Sequence, residues 1–171
     1  KIVIIGSGYW GSIIIKTLIE LGFKNLIIFD KSIKNKKIAK KKFKIIKFEN
    51  NFSNLLNQKD VANYFVVTPP SENLKIVKKL IIYNKNIFLE KPGFNNVKDI
   101  KKIENYLKKS SSKLMFGYIY CYNDYIEKIK SILDKKILGE IQYASFSRKN
   151  LGPIRSDVDV DYDLTSHDLS I

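Results

Sequence analysis

Lys1-Ile-Val-Ile-Ile-Gly6-Ser-Gly8-Tyr9-Trp10-Gly11 is an apolar strand that runs straight into a G-x-G-x-x-G turn and an apolar helix. The spacing has a physical basis. Gly6 permits the tight turn, Gly8 lets the backbone approach a pyrophosphate, and Gly11 lets helix pack closely on strand. A helix starting there presents N–H groups and a partial positive charge to phosphates. Tyr9 and Trp10 lie inside the loop and are read with the three glycines as cofactor-binding residues.

Outward from this loop, a helix over 12–21 and the turn residue Gly22 lead to a second strand, 25–30. Asp30 lies 19 residues beyond Gly11, at the carboxyl end of that strand, where an acid can hydrogen-bond an adenosine ribose hydroxyl. A carboxylate there opposes a 2′-phosphate, because like charges about 4 Å apart repel by roughly 4 kcal/mol at an effective dielectric near 20. Lys31 is adjacent and softens that effect, so the expectation is NAD, with NADP second. Asp30 could also simply cap the next segment. Methyltransferases that bind S-adenosylmethionine use a Gly-rich loop and an acid after the second strand as well. To this point the sequence implies an adenosine-bearing ligand and not yet redox chemistry.

The chain has 171 residues, 44% of them hydrophobic, enough for one good core or for one domain and part of another. No run approaches an uninterrupted membrane span, and no signal-like segment is read ahead of the first strand. A single cysteine, Cys121, excludes an internal disulfide framework and fits a reducing, cytoplasmic compartment. Beside Tyr120 and Tyr122 it reads as a small packed side chain. The formal net charge of +14 invites a nucleic-acid reading, yet only Arg148 and Arg155 are arginines, and phosphate and base forks favour Arg. The lysines, densest over 34–42, read as solvated helix faces with some attraction for anionic metabolites. Neither nucleic acid nor membrane is expected as a partner.

Strand-like and helix-like segments alternate through the first two-thirds, which implies parallel strands with crossover helices. The expected order after Asp30 is helix 33–42, strand 43–48, a helical turn or loop at 52–56, and strand 63–68. Pro69-Pro70 end that strand, and Ser71 is expected to cap a helix over 72–83. Strand 86–90, helix 97–108 and strand 113–117 complete an α/β Rossmann domain, a doubly wound parallel sheet, over 1–117. The remainder, 118–171, reads as a helix over 122–136, a strand over 139–147, an irregular loop over 150–160 and a helix start at 162–171. One strand and two helices do not form a stable sheet, so 118–171 is expected to begin an α+β substrate and oligomerisation domain with an open sheet. On that reading the chain is a fragment of a longer one or a truncated product. No cluster has metal-ligand spacing.

Three features add chemistry. Thr68-Pro69-Pro70 stands at a carboxyl strand end, where two prolines make a stiff wall for a ring. Glu90-Lys91-Pro92 stands at another; the lysine can polarise a hydroxyl or carbonyl there, and Glu90 can fix a cofactor hydroxyl. Asp163-Leu-Thr-Ser-His167 holds the only histidine, with its acid one helical turn away. Imidazole is the natural general base at neutral pH, and a neighbouring carboxylate orients it. Each feature also has an ordinary structural reading, as a turn, an exposed lysine or a packed histidine.

Taken together, Gly6–Gly11, Thr68-Pro69-Pro70, Glu90-Lys91-Pro92 and Asp163-x-x-x-His167 resemble the Gfo/Idh/MocA family of NAD(P)-dependent oxidoreductases. The stretch 150–160 and the following Asp163 to Ile171 resemble the branch that oxidises nucleotide-linked amino sugars in surface-polysaccharide pathways. The resemblance implies dehydrogenation of a CH–OH group. Lys91 would be the essential lysine beside the reacting carbinol, His167 the base, and Asp163 its support. Tyr122 and Asn123 would contact substrate, Arg148 would meet its anionic portion, and the full-length protein would be a homo-oligomer. The sequence departs from the family pattern at Tyr118, where the family often has His, and at Thr165-Ser166. Alternatives are a member acting on free sugars or inositols, and a non-catalytic or truncated nucleotide-binding module.

Overall fold

Apolar residues on both faces of short β-rich segments leave those segments only the interior of a sheet covered on two sides. The computed structural model describes residues 1–44, 46–147, 159 and 161–171. The strands are β1 (Ile2–Ile5), β2 (Leu26–Phe29), β3 (Lys47–Phe48), β4 (Asn63–Val66), β5 (Asn86–Leu89) and β6 (Leu114–Phe116). They form one parallel sheet in the order β3-β2-β1-β4-β5-β6, the doubly wound Rossmann order. Its helices are α1 (Tyr9–Glu20), α2 (Ile33–Lys42), α3 (Phe52–Asn57), α4 (Pro70–Ile82) and α5 (Val97–Leu107).

Alternation along the strands divides the core in two. Val3, Ile5, Ile27, Tyr64, Val66, Ile87 and Leu89 pack with Leu55, Leu56, Ile76, Val77, Leu80 and Ile103 of α3, α4 and α5. Ile4, Leu26 and Ile28 point the other way, onto Ile15 and Leu18 of α1 and Ala39 of α2. Helix α1 buries Gly11, Ile15 and Leu18, one stripe at helical spacing. Helix α2 buries only Ala39, so its lysines face solvent; Ser32 caps it by accepting from the Asn35 N–H at 3.2 Å.

The register positions everything that follows. Ile5 pairs with Phe29 and Val66, Val66 with Leu89, and Leu89 with Phe116, so five strands end on one row. Gly6, Asp30, Val67 and Glu90 therefore emerge side by side. Their first backbone bonds hold that edge: Gly6 N–H to Phe29 O at 2.9 Å, Val67 N–H to Ile5 O at 2.8 Å, and Glu90 N–H to Val66 O at 3.0 Å.

Several expectations need correction. Helix α1 begins at Tyr9 rather than at 12, directly on the glycine loop. Ser71 is not a cap: α4 starts at Pro70, whose missing N–H costs nothing in the first turn. The strand expected over 43–48 is only Lys47–Phe48, and α3 is a true helix rather than a turn.

The described residues group into two compact units, Lys1–Phe116 and Gly117–Ile171. The second contains a 3₁₀ turn (Ile119–Tyr122), a helix α6 (Asp124–Asp134), a π-helical turn (Asp161–Thr165) and one α-turn (Ser166–Asp168). The expected strand over 139–147 is irregular, because among the described residues of this unit no strand offers it ladder partners. The regular helix expected from 162 is the π turn followed by the single α-turn. Arg148, Arg155 and the loop expected over 150–160, apart from Asp159, lie outside the described residues.

Candidate functional site

The glycine loop leaves β1 with Gly6 at φ +96°, a conformation that L side chains avoid; a Cβ there would lie 2.4 Å from Val67 O. A Cβ at Gly11 would lie 2.1 Å from Gly6 O, so the loop and the first turn of α1 touch backbone to backbone. Gly8 differs: its nearest neighbour, Asn35 Nδ2, is 3.9 Å away, and the space a side chain would fill is open. No side chain caps the α1 N-terminus, so its first N–H groups face that space. An open cradle beneath an uncapped helix start fits the pyrophosphate of a dinucleotide.

Asp30 carries more of this loop than sequence suggests. It is only 7% exposed. Its Oδ2 accepts from the Ser7 N–H at 2.7 Å, the Ser7 hydroxyl at 2.8 Å and Asn35 Nδ2 at 3.3 Å. Oδ1 accepts from the Ser32 N–H at 2.7 Å. The carboxylate thus ties the glycine loop to the start of α2, while Oδ1, with one donor, keeps acceptor capacity toward a ribose hydroxyl. The next residue, Lys31, is ion-paired with Glu72 in the first turn of α4.

Thr68, Pro69 and Pro70 follow β4, and Glu90, Lys91 and Pro92 follow β5, with the Lys91–Pro92 peptide bond cis. Asn73, 1% exposed, joins the two loops: its Oδ1 accepts from the Thr68 hydroxyl at 2.7 Å and its Nδ2 donates to Gly93 O at 2.6 Å. The Glu90 carboxyl accepts from the Lys91 N–H at 3.2 Å and has the Trp10 side chain near it. Burial raises its pKa above the ordinary carboxylate value; the Trp10 and Lys91 contacts only partly oppose that. Trp10 is 40% exposed and Tyr9 85% exposed.

Sequence reasoning missed Ser7, Asn35 and Asn73. Asn73 had a readable signal, a polar residue on the apolar stripe of Ile76, Val77 and Leu80.

In the second unit Asn123 caps α6, its Oδ1 accepting from the N–H groups of Tyr125 at 3.0 Å and Ile126 at 3.2 Å; Tyr122 is exposed. Asp163 sits in the π turn and His167 in the following α-turn. The Tyr120 ring stands edge-on to the His167 ring at 5.4 Å. The hydroxyls of Ser166 and Ser170 bond the carbonyls of Asp163 at 3.3 Å and His167 at 2.7 Å. The first unit thus gathers the glycine loop, Asp30, the proline loop and Lys91 at one sheet edge; Asp163 and His167 belong to the second.

A family profile described as an oxidoreductase family with an NAD-binding Rossmann fold, GFO_IDH_MocA, matches residues 1–118. Oxidoreductase P35 of Formosa agariphila is 30% identical over 95 residues, which cover 55% of this chain and 30% of that protein. Among solved structures, yvaA of Bacillus subtilis, described as an oxidoreductase, superposes with a TM-score of 0.80 at 17% identity over 98% of this chain and 49% of its own. A protein of Desulfitobacterium hafniense described as an NADPH-dependent oxidoreductase gives 0.74 at 18% identity, over 81% and 40%. Myo-inositol 2-dehydrogenase of Lactobacillus plantarum gives 0.72 at 20% identity, over 82% and 42%. The chain spans less than half the length of each of these proteins.

Proposed function

Because the chain belongs to the Gfo/Idh/MocA oxidoreductase family, with its NAD-binding Rossmann fold, we propose that it serves an NAD-dependent dehydrogenase acting on a hydroxyl-bearing carbon of a sugar or sugar nucleotide. Residues 1–116 bind the dinucleotide, and 117–171 begin the substrate domain. The observation that carries this reading is the row on which β1, β2, β4 and β5 end, which brings the glycine loop, Asp30, the Thr68-Pro69-Pro70 loop and Glu90-Lys91 to one edge of the sheet.

When bound, a nicotinamide would supply the hydride acceptor for the carbinol carbon. The chain's own residues manage the oxygen. Lys91 stabilises negative charge as it develops there, and His167 takes the hydroxyl proton, with Asp163 stabilising the imidazolium. Tyr122, Asn123 and Arg148 are assigned to the substrate. Asp30 at the ribose end supports NAD over NADP. A role in surface-polysaccharide sugar synthesis in the cytoplasm, as a homo-oligomer, completes the proposal; among the described residues no helix is long and apolar enough to cross a membrane.

Electrostatic stabilisation by one donor is worth about 2.7–4 kcal/mol, so Lys91→Ala should slow turnover on the order of a hundredfold while NADH fluorescence still reports binding. Turnover is measured on sugar nucleotides and, in parallel, on free sugars and inositols. Undiminished turnover in Lys91→Ala would sink the assignment of Lys91. Binding of NADH without turnover by the unaltered protein on any of these substrates would favour a non-catalytic module.

A further inference from the structure

We propose that Glu72 sets the preference between dinucleotides with a free and a phosphorylated adenosine ribose, by neutralising Lys31, a step that rests on the dinucleotide reading above. Lys31 directly follows Asp30 at the carboxyl end of β2, and an unpaired ammonium there is a ready ligand for a 2′-phosphate. In this fold it is not unpaired. Its Nζ meets Glu72 Oε2, and Glu72 stands in the first turn of α4, just after β4.

Strands β2 and β4 are the two neighbours of β1, where strand order reverses. The pair therefore reaches from one side of the β1 carboxyl end to the other, across the crevice where such sheets take their ligand. The Glu72 carboxyl is held below the ordinary carboxylate range, first by its hydrogen bond with Lys31, so it stays ionised at neutral pH. Asp30 meanwhile spends Oδ2 on Ser7 and Asn35, and its Oδ1, with the Ser32 N–H as one donor, keeps capacity for a ribose hydroxyl. Asp30 and Glu72 thus both stand beside Lys31, while Lys75 also acts on Glu72 through its charge. Of the lysines on α2, Lys36 is drawn aside to Asn50 Oδ1 at 3.1 Å. The Lys31 and Glu72 side chains are 66% and 43% exposed, so the pair is wet and its effect is sensitive to salt.

The experiment titrates NADH and NADPH into the wild-type protein, Glu72→Gln, and Glu72→Gln combined with Lys31→Met, following nicotinamide fluorescence at low and high ionic strength. Glu72→Gln should raise the ratio of NADPH to NADH affinity about fivefold at low salt, the scale of one exposed ion pair. Adding Lys31→Met should return the ratio to the wild-type value, which separates Lys31 from the lysines of α2. High salt should shrink the gain. An unchanged ratio with both cofactors bound, or a gain that survives Lys31→Met, overturns the role of Glu72 alone. Failure of the wild type to bind either cofactor overturns the dinucleotide reading and this step with it.

Discussion

Glu90 shows how a single residue trades stability for position. Its carboxyl is half-buried, and burial raises its pKa. A carboxyl with a raised folded-state pKa binds its proton more tightly when folded, so stability falls as pH rises from the ordinary carboxylate value through the raised one. Above that window the cost is constant. Glu90→Gln removes the charge yet keeps the side chain's size and an acceptor oxygen. The variant should melt at a higher temperature than wild type at pH 8, and the gap should close as the pH is lowered through the window; equal melting curves at pH 8 would refute this. At this scale the sequence was partly legible. Glu90 and Lys91 were singled out from their strand end, and Asp30 from its distance to Gly11. That Asp30 spends Oδ2 on Ser7 was not, because a hydrogen bond across 23 residues leaves no mark on local pattern.

Among the elements, the loops after β4 and β5 behave as one piece because Asn73 of α4 bonds both. Asn73→Ala leaves the Thr68 hydroxyl and the Gly93 carbonyl without that partner, at a cost of about 1–3 kcal/mol. A urea titration should show the midpoint falling with an unchanged slope, and an unshifted midpoint would remove Asn73 from this role. Helices whose apolar stripe repeats at helical spacing, such as α4 and α5, were legible to within a residue or two. Helix α3 was not: six residues are too short to show a period, and distant groups secure it. The Tyr64 hydroxyl, its pKa pushed up to about 12 by burial, donates to Leu55 O at 2.7 Å. Lys85 donates to Gln58 O at 2.9 Å and Val61 O at 2.7 Å, just beyond the helix. Segment 139–147 failed in the opposite sense. Its apolar alternation resembles a strand, but alternation specifies a face, and only a neighbouring strand supplies the bonds.

At the scale of the molecule, the two units differ in how much they bury. All the buried hydrophobic side chains among the described residues lie between Val3 and Ile103, while Tyr125, Ile129, Leu138, Ile141 and Tyr143 of the second unit are exposed. Local opening follows burial. Limited trypsin digestion of this chain should therefore cut first among Lys128, Lys130, Lys135 and Lys136 and leave a resistant piece near residues 1–116; initial cuts inside α4 or α5 would contradict the burial pattern. The parallel sheet was legible because alternating strand and helix signals admit few arrangements. The common row on which Ile5, Phe29, Val66, Leu89 and Phe116 end was not, since register is settled by pairing. That row has a consequence for how such a chain can change over generations. Residues added beyond the row lengthen one loop and leave its neighbours in place. One residue added or lost before it turns a strand inside out and draws its loop back by about 3.3 Å. Insertions and deletions should therefore accumulate on one side of a line that no single strand defines.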